Sequence, residues 1–469
     1  MSLNYTKYLQ SIFLILLVSL LVYFDFMARP QSDDLGFINI LNHFGYYGTY
    51  SSMRETFQAS PYLMLITFPL NIVSVNFHYG TVLLFQQLFL AGSFALGLTT
   101  VAIRMKSFDV PHILGFLLVL PFYFLTWNTD TYQNAVFWVT GSSAYMLPIA
   151  FFMIAILLRT NIKTRIWTIP FWFLLAGTQI NYILVFGLIY LLLIRERIIP
   201  IDRLLWIELV IILMFLAYTW GYPGVLVRIN AAQGEVTSAV NFFSGFLIRL
   251  PDFLVNPFIH EPFLYLLMLV LIAFLLHTND SFRKLLYSFH AVIARLVVYI
   301  FAVWLVHSFV LYAAFKPGIG YGRVHFLMEF IVYLLTILIF SVFYRKLDSI
   351  PSFASFLKIS FYTLAIGVVV LSGIRLRDIA YRARNFAKAY DDRIRVLLAE
   401  KEFGRTDCLL VKRFPNSGIL GYVDLSEQIK CNHPSSDGGY IYPKIVNYDN
   451  WVFEEYYHLP YSLRTVPRF

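Results

Sequence analysis

The sequence predicts an all-α polytopic membrane protein of about 10–12 transmembrane helices, with a small α+β domain at its C-terminus. Three observations predict it. Of 469 residues, 59% are hydrophobic, 18% aromatic and 13% charged. Apolar segments long enough to cross a bilayer recur along the chain. Basic clusters punctuate those segments at alternating intervals. A water-soluble domain cannot bury so much apolar surface, so lipid is the solvent for most of this chain.

The segments fall at 9–28, 61–79, 80–103, 111–127, 145–158, 166–194, 204–221, 262–277, 291–315, 325–344 and 353–373. A bilayer-crossing helix needs roughly 20 apolar residues, fewer where the membrane is thin. Residues 9–28 are too long for the core of a signal peptide and lack a small-residue cleavage site, so they read as a first helix that stays. The clusters Arg104/Lys106, Arg159/Lys163/Arg165, Arg195/Arg197/Arg203, Arg283/Lys284 and Arg345/Lys346 alternate with lysine-poor loops. The positive-inside rule places the clusters in the cytoplasm. Segment 166–194 then has to enter and return, with "GTQIN" (Gly177 to Asn181) as its turning point. Residues 60–103 look like two spans, but the charges require an odd number of crossings there; segment 61–79, carrying Pro61, Pro69, Asn71 and Asn76, therefore reads as short, re-entrant or split.

Residues 1–373 form the expected transmembrane domain and 374–469 the tail domain. The tail opens on a helix with Ile379, Ala383, Phe386, Tyr390, Ile394 and Leu397 at helical spacing and arginines opposite. "DCLLVKRF" then reads as a strand and "NHPSSDGGY" as turn chemistry. The basic leading helix favours the cytoplasm by the charge rule, whereas counting crossings puts the tail outside; long domains translocate largely regardless of charge, so the count is followed. Cys408 and Cys431 both lie there, where an oxidising compartment permits a disulfide; they read equally as ordinary buried thiols. The net charge of +9 is spread along membrane flanks rather than gathered on a soluble face, which argues against nucleic acid as a partner.

The unusual polar residues gather in loops 29–60, 128–144, 222–261 and 316–324. Asp33 and Asp34 follow the first helix directly. They read either as solvated loop carboxylates or as a general base. The second reading rests on their apolar, aromatic flank "LGFINILNHFGYYGTY", an amphipathic stretch suited to the membrane interface, where carboxylates lose water. "FWVTGSSAYMLP" follows at 137–148, with Trp138 and Tyr145 expected at the interface and Gly141 and the serines in a turn. Arg54, Arg228, Arg249 and Arg323 sit on the outer side against the usual bias; they fit either lipid headgroups or a bound phosphate, and Lys316 joins the same set. His43, His78, His260, His307 and His325 have no metal-binding spacing, so no metal site is expected.

Taken together these features resemble the GT-C superfamily of membrane glycosyltransferases. The similarity is greater to a bacterial multipass family related to the glucosyltransferases that decorate O-antigen. The residues that carry it are Asp33-Asp34 after the first helix and W-x-T-G-S-x-x-Y-x-x-P at Trp138, Thr140, Gly141, Ser142, Tyr145 and Pro148. P-G-x-x-x-R at Pro223, Gly224 and Arg228 adds to it, as do Arg323 and "NW…YY.L" at Asn450-Trp451, Tyr456-Tyr457 and Leu459. The chain departs from that pattern in having Gln179 and Asn181 where a glutamate is usual, and Val225 after the Pro-Gly.

The resemblance implies a GT-C-like fold with interfacial helices in the first outer loop. It implies an inverting transfer of a sugar from a polyprenyl-phosphate donor to a cell-surface glycan or lipid-linked acceptor. The active site would face the periplasm or exterior of a bacterial inner membrane. Asp33 or Asp34 would be the base. Arg54, Arg228, Arg323 and Lys316 would hold the donor phosphate. Trp138, Gly141, Ser142, Tyr145, Gln179 and Asn181 would contact substrate. No cofactor is required, though the acidic pair could hold a divalent cation loosely. The alternatives are a lipid-linked oligosaccharide polymerase or ligase, and a flippase or transporter of a lipid-linked glycan. A transporter needs polar groups at mid-membrane, and the sequence offers few besides Glu208 and Glu329.

Overall fold

The computed structural model describes residues 15–16, 18–30, 32–56, 61–105, 136–197, 199–221, 239–260, 290–314, 351–404, 409–411, 456–458 and 463–465, with scattered positions between 265 and 343. Helix dominates it. Two described helices are long and apolar enough to cross a membrane, Val139–Arg159 and Ala294–Ala313. Shorter apolar helices cover Val18–Met27, Leu63–Asn76, Arg165–Ala176 and Ile180–Arg195.

The first helix, α1 (Val18–Met27), ends where Arg29 donates to the Phe26 and Ala28 carbonyls, satisfying groups a helix end leaves open. Next come α2 (Ser32–Thr56) and α3 (Leu63–Asn76). Gly45, at φ 64° and ψ 177°, kinks α2 in a conformation open almost only to glycine. The Thr49 hydroxyl donates to the Gly45 carbonyl at 2.7 Å and braces the kink. Ile40 and Leu41 of α2 pack on Met64 and Phe68 of α3.

Helix α4 (Tyr79–Met105) begins where α1 ends. An ideal Cβ on Gly80 would lie 2.3 Å from the Asp25 carbonyl oxygen and 2.6 Å from its carbon. The excursion through α2 and α3 therefore leaves and rejoins the bundle at one level. Of the readings open for 61–79, the short one fits: α3 is a short helix that opens on a π-helical turn, and it lies between the end of α2 and the start of α4. Because backbone blocks the Gly80 position, Gly80→Ala should cost about 1–3 kcal/mol through overpacking. Gly92, with nothing within 4 Å of its ideal Cβ, is the control. Gly80→Ala should melt several degrees lower in detergent and Gly92→Ala no lower than wild type; equal melting points would refute the close approach.

Helix α5 (Val139–Arg159) runs from this end of the bundle to the other. Helices α6 (Thr168–Ala176) and α7 (Ile180–Arg195) follow as an antiparallel hairpin. Trp172 of α6 and Phe186 of α7 both meet Phe152, while the Tyr182 hydroxyl donates to the Tyr145 carbonyl and the Tyr190 hydroxyl meets Arg159. The hairpin turns at Gly177–Gln179, where Gln179 is extended, and the expected two short helices are present. Helix α8 (Arg203–Trp220) returns beside α6.

Residues 239–260, expected as loop, form α9 (Ala239–His260), whose Phe242 and Phe246 pack on Phe309 and Tyr312 of α10 (His290–Ala314). Leu327, Met328, Ile331, Val332 and Leu335 join the main core at helical spacing.

Helix α11 (Pro351–Glu402) has 52 residues, about 78 Å of helix at the usual rise. The expected domain boundary at 373/374 falls inside it, so the last apolar segment and the tail's leading helix are one rod. Ala383, Phe386, Tyr390 and Leu397, expected as that helix's apolar face, pack with Phe24, Tyr79 and Val139. Arg29 forms a two-pronged ion pair with Asp391, both contacts at 2.7 Å. The tail therefore lies at the end of the bundle where α1 finishes. Two short parallel strands, β1 (Leu409–Val411) and β2 (Leu463–Thr465), pair beyond it. Cys408 and Cys431 lie outside the described residues.

Candidate active site

Helix α5 opens without a cap of its own. Trp138, at its N-cap position, is extended and makes no side-chain cap. The first N–H groups of a helix need acceptors, and here they come from elsewhere in the chain. Val139 N–H donates to the Tyr79 hydroxyl at 3.1 Å, and Thr140 N–H donates to Asp34 Oδ1 at 3.1 Å. The Thr140 hydroxyl donates to the same Oδ1 at 2.6 Å and the Tyr79 hydroxyl to Oδ2 at 2.6 Å. Asn71 Nδ2 donates to Thr140 Oγ1 at 2.9 Å. Asp34 is 0% exposed. A carboxylate at a helix N-terminus also opposes the positive end of the helix dipole. One buried acid thus ties α2, α3, α4 and α5 together.

Two π-helical turns lie beside this knot, Leu63–Thr67 and Ser142–Met146. Ser143 Oγ donates to Thr67 Oγ1 at 3.0 Å across them, and the Tyr62 hydroxyl donates to the Ser143 carbonyl at 2.7 Å. Each turn is followed by X-Pro, Phe68-Pro69 and Leu147-Pro148. Proline brings no N–H and its ring crowds the carbonyl four residues back, which favours a widened turn just before it. Tyr62 N–H donates to the Gly177 carbonyl at 3.1 Å, which joins the α6–α7 turn to the same end.

The sequence-predicted residues divide as follows. Asp33 falls in the first turn of α2, with its side chain outside the described residues; Asp34 is the buried knot. Trp138 and Tyr145 are 2% and 8% exposed, which corrects their expected interfacial placement. Gly141 and Ser142 are helical and buried rather than in a turn, because Asp34 and Tyr79 supply the cap that starts a helix there. Gln179 and Asn181 flank the hairpin turn, half-buried and buried. Arg54 is exposed near the end of α2, its guanidinium 5.5 Å from the Tyr218 ring centre at the end of α8. All of these sit at one end of the bundle. Arg249 pairs with Asp252 on the surface of α9. Arg228, Arg323 and Lys316 lie outside the described residues, as do Asn450, Trp451 and Leu459. Tyr456 and Tyr457 pack in the same cluster as Tyr79 and Tyr390.

Sequence reasoning passed over Tyr79 and over Asp25. Tyr79 gave no signal, since its partners are 45 and 60 positions away. Asp25 gave one: a carboxylate inside an apolar segment is costly and wants a partner. It is 0% exposed and accepts from Gln87 Nε2 at 2.9 Å.

A second polar network closes the opposite end. Arg159, 1% exposed, donates to Glu208 Oε2 and the Tyr190 hydroxyl at 3.1 Å each, to the Pro200 carbonyl at 3.1 Å, and to both oxygens of Asp202. Thr168 also bonds Glu208. Glu208 is thus not a mid-span charge; it lies in the second turn of α8, paired. Glu329 is outside the described residues.

Asp202 makes this end pH-sensitive. Hydrogen bonds from Arg159, the Leu205 N–H and the nearby Arg165 outweigh its partial burial and hold its carboxyl below the usual range. The folded value lies below the unfolded value of about 3.9, so the stabilisation is complete above that pH and is lost as pH falls through the folded value. Melting temperature should be flat from about pH 7 to 5 and fall below about pH 4. Asp202→Asn should be less stable at neutral pH and show a shallower acid fall; an unchanged acid limb would exclude Asp202 as its source.

Among the described residues no group of three or more His, Cys, Asp or Glu side chains is placed to hold a metal ion. No family model, curated protein or solved structure matches the chain.

Proposed function

We propose that the protein is a multi-pass membrane glycosyltransferase of the GT-C type. It would move a sugar from a polyprenyl-phosphate donor to a glycan or lipid-linked acceptor at the outer face of a bacterial inner membrane. The observation that carries this reading is segregation. The acidic pair, the Trp138–Pro148 helix start, the Gly177–Gln179 turn and Arg54 share one end of the bundle. Arg159, Lys163, Arg165, Arg195, Arg197 and Arg203 belong to the other, as cytoplasmic ends do.

In the proposed reaction Asp33 takes the proton of the acceptor hydroxyl as its oxygen attacks the anomeric carbon. The bond from that carbon to the phosphate oxygen breaks with inversion. Polyprenyl phosphate leaves as a stable anion, so no general acid is needed. Arg54, with Arg228, Arg323 and Lys316, would stabilise the charge that builds on it; Trp138, Gly141, Ser142, Tyr145, Gln179 and Asn181 would shape the substrate pocket. Because Trp138, Gly141, Ser142 and Tyr145 are buried, they would serve as walls of that pocket. The pairing of Glu208 with Arg159 away from mid-span favours the enzyme over a transporter.

The test is sugar transfer from a panel of polyprenyl-phosphate monosaccharides by purified protein in detergent. Transfer or slow donor hydrolysis is expected, weakened by Arg54→Ala and partly kept by Arg54→Lys. Release of no sugar from any donor, with the protein folded, would favour the transporter class.

A further inference from the structure

We infer that Asp34 is a positioning residue whose carboxylate, clamped by Tyr79 and Thr140, fixes the α2 turn from which Asp33 acts. The catalytic half of this rests on the glycosyl-transfer reading; the clamp does not. A general base must meet the acceptor hydroxyl, and Asp34 is 0% exposed with both oxygens already accepting hydrogen bonds. Its donors come from α4 and α5, 45 and 106 positions away, and Asn71 of α3 supports Thr140 from behind. Asp33 is the preceding residue of the same turn, so whatever holds the backbone at Asp34 also holds it at Asp33.

The clamp also couples two elements that the proposed chemistry needs together. Asp34 and Tyr79 satisfy the first two N–H groups of α5. Moving Asp34 therefore moves the start of the Trp138–Tyr145 wall along with the acidic turn. Tyr79 and Thr140 act through Asp34 and touch no substrate in this scheme.

The experiment compares full-length Tyr79→Phe, Thr140→Val, the double variant and the conservative Thr140→Ser. Melting temperature, kcat and donor KM are read for each in detergent. The expected result is a kcat about 10-fold lower or more for Tyr79→Phe and for Thr140→Val, with donor KM within about twofold. Thr140→Ser keeps the hydroxyl and should restore most of the rate. The double variant should lose less than the product of the singles, because both act on one carboxylate. Folded variants with lower melting points and unchanged kcat would overturn the positioning role, since a merely structural contact predicts that. If wild-type protein is folded but transfers no sugar, the glycosyl-transfer reading fails. Melting points then judge the clamp: non-additive losses uphold it as a fold device without its catalytic purpose, and additive losses overturn it entirely.

Discussion

Asp33→Asn should lower sugar transfer by about 10²–10⁴-fold, the usual cost of losing a general base, while donor binding survives. The amide keeps the size of the acid and cannot take the acceptor proton. In the proposed scheme donor affinity comes from the arginines, which the substitution leaves in place. The expected signature is a loss confined to kcat, with wild-type melting behaviour. Asp34→Asn should behave differently. It also slows transfer, but its amide group replaces one acceptor oxygen among at least three donors, so the protein should melt lower as well. A near-native rate for Asp33→Asn with a donor that wild-type protein uses would remove Asp33 from the mechanism.

Arg159→Leu should destabilise the fold by about 3–5 kcal/mol, because it leaves Glu208 buried and without its ion-pair partner. Glu208 keeps its contacts with Thr168 and Tyr190, which soften the loss. Asp202 keeps Arg165 at 2.8 Å and is itself 20% exposed, so it adds less. The double variant Arg159→Leu with Glu208→Leu removes both charges together and should recover much of the stability, since an apolar pair avoids the desolvation cost. Melting temperature and monodispersity in detergent give the readout. A double variant no better than Arg159→Leu alone would mean that the network is held by Asp202 and not by Glu208.

Several features were legible from residue order because their physics is local. The break at Gly177–Gln179 followed from charge placement: Arg165 and Arg195 belong on one side, so the chain between them has to turn, and it does. The α11 face at Ala383, Phe386, Tyr390 and Leu397 followed from helical spacing, which any amphipathic helix must show. The acidic pair stood out because carboxylates just outside an apolar helix are conspicuous.

Tertiary structure decided what those residues do. Nothing near Trp138 in the sequence indicates a helix start there, because the cap is supplied by Asp34 and Tyr79, 106 and 60 positions earlier. Pro61, Pro69, Asn71 and Asn76 mark 61–79 as irregular, but only the contact of Gly80 with the Asp25 backbone shows that the chain returns to the end of α1 after it. Glu208 reads as a lone membrane charge until Arg159, 49 positions away, is seen beside it. Hydropathy and charge order mark which segments are apolar and where the basic clusters fall between them. Hydrogen-bond partners remote in sequence determine that Asp34, of the two adjacent aspartates, is spent on holding the fold.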